Sequence, residues 1–423
     1  MTLLRGVFVS KNNADFFKNK NEWSVIKDKL LGCYLTPYFQ KVLHTGKPIF
    51  YVDCFAGKGK FEDGNDGSPL IALRIREDCL SKTSIRIKKG SIQTCFIDMN
   101  YAEELNKNIS GISPSYDTPT VLSGKYEDNI ENCLRDKKGF NVFLYIDPYG
   151  IKALDSAMFD KFKSFGFSTF EMLINFNSFG FFRDACRVMQ VDYKNDMALQ
   201  GLEELVEFDP TTVDSSKQSE LLLSSIAGGD YWKNIVIDYR DGKIDGYQAE
   251  QRLSSEYKKR LKQRYSYVLD MPIRLKAGQR PKYRMIHVCD HEEGCFLMAQ
   301  NMQKRKDELF INIQQRGQIS FSDLGALGSS SVEGEYYTRE EIVDKIRTHI
   351  TQMPEKVGVT KFIASFVNEY GLICEFKMIY EILEELQISR AIQIVREPSE
   401  TQKGRPTAFW EEKKDQTVTI WRH

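Results

Sequence analysis

The sequence is poor in the features that mark several large protein classes. No apolar run among its 423 residues approaches the ~20 needed to cross a bilayer, so a membrane-spanning helix is not expected. The N-terminus, MTLLRGVFVSKNNADFFKNK, lacks a signal-peptide core with a small-residue cleavage site. Nine cysteines lie between Cys33 and Cys374 without one C-x-x-C pair, which argues against a disulfide scaffold or a zinc knuckle. Reduced thiols in a cytoplasmic protein are the expectation. Only five histidines (44, 287, 291, 349 and 423) are available, so a histidine-based acid/base mechanism has few candidates. The nucleophile elbow G-x-S-x-G and the P-loop G-x-x-x-x-G-K-[ST] are both missing, as are internal repeats. Net charge is also missing: 59 lysines and arginines balance 59 aspartates and glutamates, which excludes a binder that works by bulk charge.

The local charge is another matter. Asp196 to Glu250 carries 12 acids and 4 bases, a net of −8, whereas Arg252 to Arg284 carries 11 bases and 2 acids, a net of +9. Tyr257, Tyr265, Tyr267 and Tyr283 are interleaved with those bases, a pattern that suits phosphates and stacked nucleobases, although a solvated helix face has the same composition.

At 423 residues the chain has room for two or three domains. Residues 1–45 read as a helical lead-in, with Leu30, Leu31, Tyr34, Tyr38 and Val42 near one helical face. The period then changes. PIFYVDCF (48–55), TCFID (94–98), TPTVLSG (118–124), NVFLYID (141–147) and FEMLINF (170–176) are short β-rich runs separated by helix-compatible stretches. Such alternation predicts a parallel sheet buried on both faces. Residues 46–182 and 251–324 are assigned to one α/β domain interrupted by a helical acidic insertion, 183–250. Within its second part, VLDMPIRL (268–275) and YRMIHVCD (283–290) read as two strands that close the sheet, followed by a helix over 294–314. GALGSSSVEGE (325–335) reads as a linker. Residues 336–423 then offer three helices (338–352, 359–369, 375–388) and a β-hairpin tipped by KGRP (403–406), a winged-helix-like α+β pattern that serves nucleic-acid or protein contacts.

The first strand runs into a glycine loop, VDCFAGKGKF (52–61), in which Asp53, Phe55, Ala56, Gly57, Lys58 and Gly59 let backbone approach a ligand closely. The dinucleotide fingerprint G-x-G-x-x-G would need glycine where Glu62 stands, so the nicotinamide reading ranks third. D-x-F-x-G-x-G is similar to the loop that class I methyltransferases place around the amino-acid half of S-adenosylmethionine. An ordinary strand-to-helix turn uses the same residue types. The second strand ends at Asp98-Met99, where an acid can accept ribose hydroxyls. Gly124, Lys125 and Tyr126 follow the third strand and are placed beside an adenine ring. The fourth strand ends in Asp147-Pro148-Tyr149. There an Asp carboxylate can accept the hydrogens of a target amine while an aromatic ring stacks on its base, a chemistry of positioning more than of strong bases. A proline-containing β-turn is the plain alternative. Asn175, on the fifth strand, is expected to line the same cleft or to cap the strand.

Together VDCFAGKGKF, DGSPLIAL, CFIDMN, FLYIDPYGI, FEMLINFN, GGDYWK (228–233) and YRMIHVCDHEEG (283–294) resemble the three-Cys-motif partner family (TcmP) over roughly residues 25–310. The resemblance implies a Rossmann-like methyltransferase fold, S-adenosylmethionine as cofactor, and a three-cysteine, radical-SAM-like partner protein. FAGxG with GSPLIA is also similar to an adenine-N6 methyltransferase of large-subunit ribosomal RNA. Its motif is D-P-P-Y, whereas here the residues are Asp147-Pro148-Tyr149-Gly150.

His287, Cys289, His291 and Cys295 share the residue types of a zinc set, but strand alternation explains their spacing and no metal site is assigned. The expected architecture is thus an α/β, Rossmann-like class I methyltransferase sheet with a helical insertion, plus a C-terminal winged-helix-like domain. The expected function is methylation of RNA or DNA, with a base amino group as the expected target. The alternative is a non-catalytic partner that keeps the fold and binds nucleic acid or protein.

Overall fold

The computed structural model describes residues 20, 22–83, 91–148, 150–193, 196, 199, 217–273, 283–315, 337–413 and 415–422. Its elements are α1 (Glu22–Leu43), β1 (Ile49–Asp53), α2 (Ser68–Lys82), β2 (Ile92–Asp98), α3 (Ala102–Ser110), β3 (Thr120–Ser123), α4 (Tyr126–Arg135), β4 (Asn141–Ile146), α5 (Ser156–Lys163), β5 (Thr169–Phe176) and α6 (Ser178–Val188). They continue with α7 (Lys217–Ala227), α8 (Tyr231–Arg240), α9 (Gly246–Lys262), β6 (Tyr267–Ile273), β7 (Tyr283–Cys289) and α10 (Glu292–Gln315). The last elements are α11 (Arg339–Gln352), β8 (Lys356–Gly358), α12 (Val359–Tyr370), α13 (Phe376–Ile388), β9 (Ile392–Glu397) and β10 (Thr417–Arg422).

A seven-stranded sheet has the order β3-β2-β1-β4-β5-β7-β6. The β1–β2, β1–β4 and β2–β3 pairs are parallel, and β7 is antiparallel to both β5 and β6. This mixed α/β, Rossmann-like architecture is the one the run pattern predicts, with β6 and β7, which fall within the two expected runs 268–275 and 283–290 but for Tyr267, paired antiparallel. The strands are continuous apolar runs because a sheet flanked by helices buries both faces; all of β1 and all of β4 are buried.

The chain forms two compact units, Met1–Ser168 with Asn177–Leu253, and Thr169–Phe176 with Ser254–His423. In the first, α1 packs on β1 and β4 through the apolar face anticipated from its sequence. Tyr34 and Tyr38 lie 5.7 and 5.3 Å from the Phe143 ring, which stacks at 6.0 Å on Tyr51. Burying such rings contributes about 2–3 kcal/mol each and fixes α1 across the sheet. The parallel register sets Asp53 opposite Phe96 of β2 and Tyr145 of β4. Asp98 and Asp147 therefore both stand two residues beyond it at one sheet edge.

In the second unit, Phe176 stacks on Tyr257 at 4.5 Å, and Phe296 on Phe376 at 5.6 Å. Asn368 accepts the Val268 amide at 2.9 Å, tying α12 to β6. The C-terminal elements run α11-β8-α12-α13-β9-β10 with a small antiparallel sheet ordered β8-β10-β9. Strand β8 has only three residues, too few for sequence alternation to reveal. The linker 325–335, the loop KAGQRPK (276–282) and part of the acidic insertion lie outside the described residues. Among the described residues no helix is long and apolar enough to cross a membrane.

The four residues of zinc-set type do not converge. His287 Nε2 bonds Glu171 at 3.0 Å, Cys295 Sγ lies 3.6 Å from the Ala364 carbonyl oxygen, and the His291 side chain is largely exposed. Among the described residues no group of three or more His, Cys, Asp or Glu side chains could hold a metal ion.

Candidate cofactor cleft at the edge of β1 and β4

The turn after β1 is built by hydrogen bonds that its residue types permit. Gly57 and Gly59 have φ of +59° and +75°, a region that favours glycine. A Cβ on Gly59 would stand 2.7 Å from Leu105 Cδ1. The Ala56 amide donates to the Ile97 carbonyl at 3.0 Å and the Gly67 amide to the Gly59 carbonyl at 2.8 Å, so the loop is clamped between β2 and the start of α2. Asn108 Nδ2 donates to the Lys58 carbonyl at 2.8 Å, and Lys58 Nζ sits 5.1 Å over the Tyr101 ring.

This loop forms one wall of a cleft with about 570 Å³ of empty space, part of it open to solvent. Phe55, Ala56, Gly57 and Gly59 line it, with Asp147 and Pro148 from the end of β4. Ser24, Lys27 and Asp28 of α1 and Gly67 and Ser68 at the start of α2 complete it. The sequence reading missed the α1 residues. Their signal was the i, i+3, i+4 spacing of Ser24, Lys27 and Asp28, which sets the three on one face of the helix.

Asp53 is fully buried at the end of β1. Its Oδ1 accepts the Phe55 amide at 3.3 Å, while Oδ2 has no hydrogen-bond partner. Burial pushes its carboxyl up to about 7, with Asp147 and Asp28 adding to the rise and the nearby Ser68 side chain and the Phe55 amide opposing it. Asp28 is likewise raised by burial, to about 6, against the pull of Lys20. Burying carboxylates this close together favours their neutral forms.

Asp147 is paired with Lys27, whose Nζ lies 2.8 Å from each carboxylate oxygen. The Tyr145 hydroxyl donates to Asp147 Oδ2 at 3.2 Å. Pro148 is buried beside it. Tyr149 lies outside the described residues. Asn175 is buried in β5, in the second unit, opposite Met285 in the β5–β7 ladder.

Asp98 is heavily committed. Oδ2 accepts the Gly57 amide at 2.8 Å, and Oδ1 accepts the amides of Asn100 and Tyr101 at 2.8 and 2.7 Å. A carboxylate offers about four acceptor positions, so one remains on Oδ2. Met99 beside it is half exposed, at 51%. Gly124, with φ of +125°, donates its amide to the Asp98 carbonyl at 3.1 Å. Lys125 is exposed at the start of α4. Tyr126 is buried, its ring 5.3 Å from Phe55. It supports the glycine loop from behind.

The basic segment is partly spent within the second unit. Arg284 bonds buried Asp270 at 2.7 Å and Lys258 pairs with the same carboxylate; together they hold that carboxyl far below its ordinary range, against the effect of burial. Tyr257, Tyr265 and Tyr283 are at most 2% exposed, so these rings belong to the core. Lys259 and Arg264 stay exposed, as do Lys403 and Arg405 at the hairpin tip.

No family model and no curated protein matches the chain. Among solved structures it is similar to the plantazolicin methyltransferase BamL in complex with a triazolic desmethylPZN analog and SAH, at 12% identity and a TM-score of 0.31, over 66% of this chain and 89% of that one.

Proposed function

We propose that the cleft binds S-adenosylmethionine and that the protein is a methyltransferase of the class I fold acting on nucleic acid. The observation that carries this reading is the unpartnered Oδ2 of buried Asp53, set beside a loop whose glycines leave room for a ligand. A buried carboxylate oxygen without a donor is costly, and a ligand ammonium group would satisfy it. Ser68 and the first turn of α2 offer donors to a ligand carboxylate. Asp98 has one acceptor position left for a ribose hydroxyl, and Met99 an exposed apolar side chain beside it. Bound there, S-adenosylmethionine would supply a methyl group activated by its sulfonium charge.

On the substrate side, Asp147 accepts hydrogens from an amine, as it does now from Lys27. A substrate amine must displace Lys27 from at least one oxygen before Asp147 can orient it. Exposed Lys259, Arg264, Lys403 and Arg405 are suited to phosphate contacts, and the C-terminal helices and hairpin are read as a winged helix. A cytoplasmic location belongs to the same proposal.

A second reading has its own support. The exposed face of α13 carries Glu381, Glu384 and Glu385, a poor surface for nucleic acid and a good one for a basic protein. A non-catalytic subunit paired with a three-Cys-motif, radical-SAM-like partner is consistent with that face. The discriminating assay follows labelled methyl transfer from S-adenosylmethionine to total RNA and DNA by wild type and Asp147→Asn. Incorporation that falls at least tenfold in the variant supports the enzyme, and no incorporation by wild type supports the subunit.

A further inference from the structure

We propose that Cys95 and Cys133 form a reversible, peroxide-sensitive dithiol. The proposal is independent of what the cleft binds.

Cys95 lies in β2, paired with Val52 on one side and Thr120 on the other, and is 1% exposed. Cys133 lies in α4 and is half-buried. Their sulfurs are 3.4 Å apart and share a hydrogen bond. A disulfide needs a sulfur separation near 2 Å, so closing the bond takes a displacement of little more than 1 Å between a strand and the helix packed on it.

The two thiols differ in character. The contact with Cys95 holds the Cys133 thiol below its ordinary range against the effect of burial, and the Lys137 ammonium acts in the same direction. Lys137 is fixed four residues on, with Nζ 2.8 Å from Gln93 Oε1 and 4.5 Å over the Phe50 ring. Cys95 is shifted the opposite way by its bond to Cys133 and by burial. A thiolate-prone, half-buried sulfur next to a protonated, fully buried one is the division of labour between an attacking and a resolving cysteine.

The oxidant is a peroxide. The Cys133 thiolate attacks one peroxide oxygen, forming an S–O bond as the O–O bond breaks, and the hydroxide released takes a proton to become water. The Cys95 sulfur then attacks the Cys133 sulfenic acid. The S–S bond forms, the S–O bond breaks, and hydroxide leaves with the Cys95 proton as a second water. Two thiols lose two electrons and the peroxide gains them.

The test treats the full-length protein with graded hydrogen peroxide, blocks remaining thiols with an alkylating reagent and maps cysteine peptides by mass spectrometry. We expect a Cys95–Cys133 disulfide at near-equimolar peroxide, reversed by dithiothreitol, with Cys133 consumed at least tenfold faster than exposed Cys33. In Cys95→Ser, which keeps the side-chain size, dimedone should trap a sulfenic acid on Cys133. The idea is overturned if Cys33 reacts as fast as Cys133. It is equally overturned if Cys133 links to neighbouring Cys54, or if both thiols survive a hundredfold excess of peroxide.

Discussion

Lys27, on the first helix, places its ammonium 2.8 Å from both carboxylate oxygens of Asp147, a residue 120 positions later at the end of β4. The side chains are 5% and 20% exposed, so the pair is largely shielded from solvent and salt. It links the lead-in helix to the edge of the sheet and neutralises the acid proposed above to hold a target amine.

Replacing Lys27 with Met should leave Asp147 uncompensated in a half-buried position. The expected loss is about 1–3 kcal/mol in denaturant unfolding, below that of a fully buried pair because Asp147 keeps some water. Lys27→Met with Asp147→Asn should recover at least half of that loss, since no stranded charge remains. Strictly additive effects would show that the two residues do not interact.

Asp53 gives the stability a pH dependence of unusual sign. Its carboxyl ionises at about 7 in the folded protein and near 3.8 when unfolded, so folding disfavours the charged form. No penalty exists below about pH 4; it grows as pH rises towards 7 and is constant above that. Asp28, raised to about 6, acts the same way over a shorter range. Asp53→Asn should therefore gain about 2–4 kcal/mol over wild type at pH 8 and little at pH 4. Parallel stability curves for the two proteins from pH 4 to 8 would contradict the assignment.

The glycine loop should tolerate almost no side chain. Gly59→Ala combines φ of +75° with a Cβ 2.7 Å from Leu105, and should cost about 1–3 kcal/mol. Gly46→Ala, also at positive φ but with open space around it, isolates the backbone cost alone. Equal melting temperatures for the two variants would mean that Leu105 moves freely aside.

Much of this site could be read from residue types, because each strand ends in a polar residue after a buried apolar run. Asp53, Asp98 and Asp147 are visible as such ends, and parallel pairing with β1 in register aligns them. The contribution of α1 was less legible. Ser24, Lys27 and Asp28 look like ordinary solvated helix residues until the helix is laid over the sheet by Tyr34 and Tyr38. The tyrosines of the basic segment failed the other way. Alternation with lysine and arginine suggested an open stacking surface, yet helical and strand periodicity turns Tyr257, Tyr265 and Tyr283 into the core. Asp98 shows a third limit: its position was legible, but not that three backbone amides already use its carboxylate.

That commitment makes Asp98→Asn a sharp probe. The amide oxygen can still serve Asn100 and Tyr101, but its NH₂ then faces the Gly57 amide, donor against donor. The loop should open at Gly57, with a stability loss of about 1–2 kcal/mol and faster amide exchange at Gly57 than at Ala56, measured by hydrogen exchange. Unchanged protection at Gly57 would show that Asp98 does not hold the loop.

The cleft itself is tested by calorimetric titration of S-adenosylmethionine into wild type and Asp53→Asn. The expected result is one-to-one binding by wild type and at least tenfold weaker binding by the variant, which keeps the size of the side chain but cannot bear its charge. No measurable binding by wild type, or equal affinity in the two proteins, would contradict the assignment of Asp53 and its glycine loop to S-adenosylmethionine.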